Sequence, residues 1–265
     1  MKKYLPLLFL GLIVLISSFD AAAQRRKVMN LPKYDLEPYH FGFILAANEM
    51  HYTLNLKDGF QNVFHEPEFW PERPSSDSVQ LINMTPAATP GFTIGIVGNL
   101  RLANHFDLRF IPSLSFGERH MDYQVREYNN GADSLFLFRK SNASTFVEFP
   151  LHIKYRSKRL NNAAAYIIGG VNYRIDLASQ KKNERDITLP GGGTETIIEG
   201  IRTNRNSVAL EIGTGFDFYT NFFKFGVELK MSYGLGSIVE TDNYIYTSSV
   251  ESLKNKIFQI SFTFE

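Results

Sequence analysis

The chain reads as an all-β protein: an eight-stranded antiparallel up-and-down transmembrane barrel of the outer-membrane kind, with a filled lumen. Three observations carry this expectation. Apolar side chains alternate with polar or small ones through eight stretches, the period-two pattern of a strand with two unlike faces. The joins between those stretches are alternately tight and long, as in barrels with short turns at one end and long loops at the other. The 265 residues hold 23 Phe and 13 Tyr against one Trp, at a mean hydropathy of -0.17. So much aromatic surface in a chain of modest hydropathy needs a solvent other than water on one face.

Composition narrows the function classes. With 28 Lys and Arg against 27 Asp and Glu, no overall basic field is available for nucleic acid. Zero cysteine removes thiolate metal sites, disulfide frameworks and thiol nucleophiles. The 44% hydrophobic content excludes a disordered chain.

The first element is a leader. Lys2 and Lys3 precede an apolar run from Leu5 to Ile16, followed by Ala21, Ala22 and Ala23. This is the order of a secretory signal peptide over residues 1–23, and the run is too short to span a bilayer as a helix. Cleavage after Ala23 leaves 26 basic and 26 acidic residues. Residues 24–39 are basic, then proline-containing and aperiodic, and read as a short extended periplasmic arm. Its cluster Arg25, Arg26 and Lys27 is a candidate contact for an acidic periplasmic partner.

Residues 40–265 form the barrel. The first stretch, His40 to about Leu56, places Phe41, Phe43 and Leu45 on odd positions but Tyr52, Leu54 and Leu56 on even ones, which suggests a β-bulge near Asn48 to Met50. Six further stretches present one apolar face each, carried by Phe92–Leu102, Phe106–Phe116, Val147–Tyr155, Ile167–Leu177, Val208–Phe218 and Phe223–Leu235. The last alternates Phe258, Ile260, Phe262 and Phe264 with Gln259, Ser261, Thr263 and Glu265. Tight joins with Asn lie at Ala103-Asn104-His105, around Arg159 to Asn162, and at Thr220-Asn221-Phe222. Four long external loops are expected at about 57–90, 121–141, 178–206 and 241–255, which leaves both termini periplasmic.

A soluble sandwich or lipocalin-like barrel is the competing fold. Its strands are usually shorter, and it has no use for a face so rich in Phe opposite one so poor in bulk. In lipid the outward face meets hydrocarbon, and small residues beside charged ones fill a narrow interior. Parity places Arg101, Arg109, Glu148, Lys154, Arg156, Arg174, Asp176, Glu211, Asp217, Lys224, Glu228 and Lys230 inside. Unpaired, these charges would cost several kcal/mol each, so a paired network is expected, for example Glu228 with a cation from a neighbouring strand. A lumen so filled is no diffusion pore.

Chemistry is sparse. His51, His65, Glu66 and Glu68 lack the spacing of a metal motif, Gly191-Gly192-Gly193 lacks a strand-turn-helix context, and no nucleophile elbow is present. No catalytic residue, cofactor, metal or small-molecule substrate is expected, and His152 reads as a network histidine. His120 and Ser141 border the second loop and define an alternative, an outer-membrane lipid A-modifying enzyme. A structural or adhesive OmpX-like barrel is another. The stretch Phe64 to Pro74, dense in Pro and aromatic residues, is a candidate protein-docking loop through Phe64, Phe69 and Trp70, or else a lid over the barrel mouth.

Pro38-Tyr39-His40-Phe41-Gly42-Phe43-Ile44-Leu45-Ala46-Ala47-Asn48, the following Leu56-Lys57-Asp58-Gly59-Phe60, Pro90-Gly91-Phe92 and Glu148-Phe149-Pro150-Leu151 together resemble the PorT family of Bacteroidetes outer-membrane proteins, components of the type IX secretion system. The resemblance covers most of the mature chain. It implies a part in secreting proteins across the outer membrane, and in some members gliding motility, with other type IX secretion components and outer-membrane lipid as partners. It implies no catalytic residue.

Overall fold

The computed structural model describes residues 28–66, 76–178, 184–188, 194–198, 200–240 and 242–265. Its strands are β1 (Tyr39–Leu56), β2 (Phe64–His65), β3 (Ser78–Ala87), β4 (Thr89–Arg101), β5 (Phe106–Phe110), β6 (Ser113–Asn129), β7 (Ala132–Arg156), β8 (Ala163–Asp176), β9 (Glu184–Thr188), β10 (Thr194–Ile198), β11 (Asn206–Tyr219), β12 (Lys224–Gly234) and β13 (Val250–Phe264). β1 pairs with β13 on one side and β4 on the other, which closes the sheet on itself. β3 and β4 are one stave interrupted at Ala88, and both pair with β6. β5 and β6 are another, lying between β4 and β7. The ring is thus eight antiparallel staves: β1, β3–β4, β5–β6, β7, β8, β11, β12 and β13. β2 extends the free end of β3, and β9 with β10 is a separate hairpin.

The interruption at Ile111–Pro112 has a covalent cause. Pro150 of β7 faces the gap, so two residues without a backbone N–H meet where a ladder bond would otherwise form. Their carbonyls still accept, from Ile96 N to Pro112 O at 3.0 Å and from Ile111 N to Pro150 O at 3.2 Å. Register is kept across the break, Phe110 opposing Leu151 and Ser113 opposing Glu148.

The described arm from Val28 and the C-terminal Glu265 lie at one mouth of the ring, with the tight turns. At the other mouth the staves continue past the apolar belt, and their polarity inverts. Near the termini the exposed side chains are Phe43, Ile96, Phe110, Ile153, Phe216, Leu229 and Ile260, while inward positions are mostly polar or small, apart from Tyr166, Ile168, Tyr219 and a small cluster of Ile44, Val97 and Ile111. Beyond Asn48, inward Tyr52, Val79, Leu81, Tyr123, Val125, Ile245, Tyr246 and Leu253 form a buried apolar cluster, and outward positions become Thr53, Asn55, Asp122 and Arg139. The first half is organised for lipid and the second for water.

This inversion corrects three sequence expectations. No bulge occurs near Asn48 to Met50: β1 keeps register with β13 from Phe43 to Asn55, shifting only at Asn55/Leu56. Even positions of β1 point inward throughout, and what changes is the surroundings, not the facing. Residues 121–141 are no loop but the outer halves of β6 and β7, joined by Asn130 (φ 50°) and Gly131 (φ 79°), the left-handed pair that a tight hairpin requires. The 57–90 and 178–206 segments likewise contain β3 and the β9–β10 hairpin, and β13 begins inside the 241–255 segment.

The arm is not extended over its described part. Residues 28–38 fold across the mouth, with a 3-10 turn at Tyr34–Leu36. Asn30 N donates to Asn162 Oδ1 at 2.9 Å and Asn30 Nδ2 to Tyr219 O at 3.0 Å. Tyr34 stacks on His40 with ring centroids 3.7 Å apart. The leader and Arg25, Arg26 and Lys27 lie outside the described residues.

Candidate functional site

Among the described residues the lumen holds the densest chemistry, arranged in tiers. In the tier nearest the arm, Asp35 accepts from Arg156 and from the Tyr219 hydroxyl at 2.8 Å, with Arg159 Nη1 3.7 Å away. Burial would raise the Asp35 carboxyl, but Arg156, the Tyr219 hydroxyl and Arg159 outweigh it and hold the group below its ordinary value. Lys224 meets Glu265 at 2.7 Å and Lys154 meets Asp217 at 2.7 Å. Above them Arg109 bonds Glu228 at 2.7 Å and reaches Glu265 at 3.4 Å, and the Tyr166 hydroxyl donates to Glu228 at 3.0 Å.

The next tier centres on Glu211. Its two oxygens take His152 at 2.7 Å, Lys230 at 2.9 Å, Arg174 at 3.0 Å and Asn172 Nδ2 at 2.8 Å. Arg174 also meets Glu148 at 2.9 Å. Asn48, Thr93 and Ser115 form a neutral tier, with Asn48 Nδ2 donating at 2.8 and 3.0 Å. Arg119 closes the stack, bonded to Asp176 at 2.9 Å and to Ser144 and Asn255, with its guanidinium 4.5 Å from the Tyr52 ring centroid. Across these tiers cations and carboxylates neutralise one another, which a confined interior requires.

Eleven of the twelve side chains that parity placed inside are buried there: Arg109, Glu148, Lys154, Arg156, Arg174, Asp176, Glu211, Asp217, Lys224, Glu228 and Lys230. Arg101 is the exception. It is half-exposed at the mouth and donates to Asn104 of the adjacent turn at 2.9 Å. Glu228 also departs from expectation, because its cation Arg109 comes from the opposite wall and not from a neighbouring strand. Sequence reasoning left out Arg119, Glu265 and Asp35. Glu265 was signalled by the alternation Gln259, Ser261, Thr263; Arg119 and Asp35 lay beyond any readable period.

Phe64 is exposed and packs against Tyr128 at 5.6 Å; Phe69 and Trp70 lie outside the described residues. His120 and Ser141 are register partners on β6 and β7. The Ser141 hydroxyl donates to Glu118 at 2.9 Å, His120 Nε2 is 4.0 Å from the same carboxylate, and His120 Nδ1 is buried without a hydrogen-bond partner. Serine and histidine each face the carboxylate instead of each other, so this geometry contains no nucleophile–base pair.

A closed sheet with an apolar exterior band and a charged, packed interior defines a membrane-spanning β-barrel. The chain belongs to the family described as outer membrane protein beta-barrel domain, whose model matches residues 45–240. No curated protein matches. Among solved structures it is similar to Neisserial surface protein A (11% identity, 86% of this chain and 99% of that one, TM-score 0.40). It is also similar to the attachment invasion locus protein Ail of Yersinia pestis (11% identity, 86% and 98%, TM-score 0.31) and to OprG of Pseudomonas aeruginosa (13% identity, 84% and 92%, TM-score 0.32).

Proposed function

We propose that this outer-membrane barrel is a non-catalytic assembly or accessory factor for protein secretion by the type IX system, with its termini periplasmic. The observation behind the reading is the tiered lumen: ion pairs from the arm to Arg119 fill the interior, which favours a scaffold over a conduit. Cargo then crosses through a larger partner, and this chain contributes surfaces, namely the extended outer hairpin of β6 and β7 and the arm at the opposite mouth. The resemblance of the first strand and the Glu148-Phe149-Pro150-Leu151 step to the PorT family supports the choice of secretion system. Deleting the gene and measuring cargo in the culture medium tests the reading. Cargo is expected to be retained in the cells, and normal secretion rejects the assignment.

A further inference from the structure

The outward face of β1, β12 and β13 carries a feature that the lumen does not explain. At the border where the apolar belt ends, Lys256 stands opposite His51 on β1 and Tyr233 on β12, with Lys254 two residues on, opposite Thr53. Each lumen cation of the tiers above has a carboxylate; among the described residues neither Lys254 nor Lys256 forms an ion pair. They lie on rings instead, Lys254 at 5.5 Å from the Tyr233 centroid and Lys256 at 5.2 Å from that of Phe258, while His51 packs edge-on to the same Phe258 at 5.7 Å. Both residues are half-buried, as expected of side chains that cover apolar surface while presenting charge at an interface.

Directly beneath lies an open apolar groove on the belt, lined by Ala47, Glu49, Leu229, Met231, Phe258 and Ile260 and continuing across β11 to β8. Phe258 belongs to both features, so the cations stand at the groove's upper edge. Two lysines on one strand face, roughly 7 Å apart at their Cα atoms, supply two cations for one tetrahedral dianion. The groove below takes hydrocarbon. Cationic head and apolar body are complementary to one kind of molecule, an anionic lipid.

We propose that this face binds a phosphorylated multi-acyl lipid of the outer leaflet, its phosphate between Lys254 and Lys256 with His51 alongside and an acyl chain in the groove. Glu49 faces Phe258 in register on β1 and limits affinity by its negative charge. The leaflet depends on the orientation given above; the contact itself does not.

The test uses the full mature chain in detergent, with bisphosphorylated lipid A and its dephosphorylated counterpart as probes and native mass spectrometry as the readout. Bisphosphorylated lipid A is expected to be retained preferentially, and Lys254→Gln with Lys256→Gln to lower that retention about tenfold or more. Glu49→Gln is expected to raise it. Equal retention of the two lipids, or no loss in the double variant, overturns the site. Heat-modifiable gel migration reports folding, and if the double variant is unfolded the two single variants decide by the same criterion. Orientation is read separately. Asn130→Cys gives a single thiol in a cysteine-free chain, and an impermeant maleimide is expected to label it in intact cells. Failure to label overturns the leaflet and leaves the binding result standing.

Discussion

Glu211 shows how much weight one side chain carries here. Four donors from β7, β8 and β12 converge on its two oxygens, and it is only 4% exposed. Removing one partner of a buried ion pair is far costlier than never burying the pair, because the remaining charges stay dehydrated. Glu211→Leu, which leaves Lys230 and His152 without their carboxylate and Arg174 with Glu148 alone, is expected to cost roughly 3–5 kcal/mol in urea unfolding. Arg101→Ala, at the half-exposed mouth, should fall within about 0.5 kcal/mol of wild type. A comparable loss in the two would mean that burial does not separate network members from rim residues. Parity in the sequence made Glu211 legible, because its neighbours Leu210 and Ile212 are apolar and exposed. The same parity misplaced Arg101, since alternation states which face a residue takes and not whether the stave has already ended.

At the scale of elements, the period-two signal was faithful only where one solvent was apolar. From Asn48 outward along β1, and from Gly117 along β6, inward residues turn hydrophobic, so a reader who equates apolar with outward infers a bulge in one strand and a loop in the other. That is why Arg119, inward on β6 between Gly117 and Met121, was missed. The arm was illegible for a different reason: its contacts, such as Asn30 with Asn162 and Asp35 with Arg156, are long in sequence and leave no local period. Asp35 also makes the arm sensitive to acid. Its carboxyl is held below the ordinary value by Arg156, Tyr219 and Arg159 against the opposing effect of burial. A group depressed on folding stabilises fully above its unfolded pKa, about 3.9, and loses that contribution as pH falls toward its folded value. Hydrogen exchange in residues 28–38, corrected for intrinsic rates, should therefore accelerate below about pH 4 relative to pH 6. Asp35→Asn should show accelerated exchange already at pH 6. Unchanged protection in both cases would place the hold on the arm elsewhere, in the Asn30 and Arg159 contacts.

The whole molecule combines an apolar exterior, a neutralised interior and a folded arm beneath one mouth, and these together decide whether anything can pass through it. An eight-stave ring has an interior just wide enough for side chains to fill, and here they do so in successive tiers. Arg109 and Glu228 join opposite walls at 2.7 Å, which sets a buried ion pair across the axis at that height. Opening one tier would cost several kcal/mol, and conduction requires every tier to open together. The purified chain in a planar bilayer is therefore expected to give no stable nanosiemens-scale conductance. Deleting residues 28–38 should leave it equally silent, because the arm covers the mouth while the tiers above it block the axis. Steady conductance from the truncated chain alone would make the arm the plug and the tiers permeable. Steady conductance from the full chain would overturn the closed-lumen reading and restore a transport role to the barrel itself.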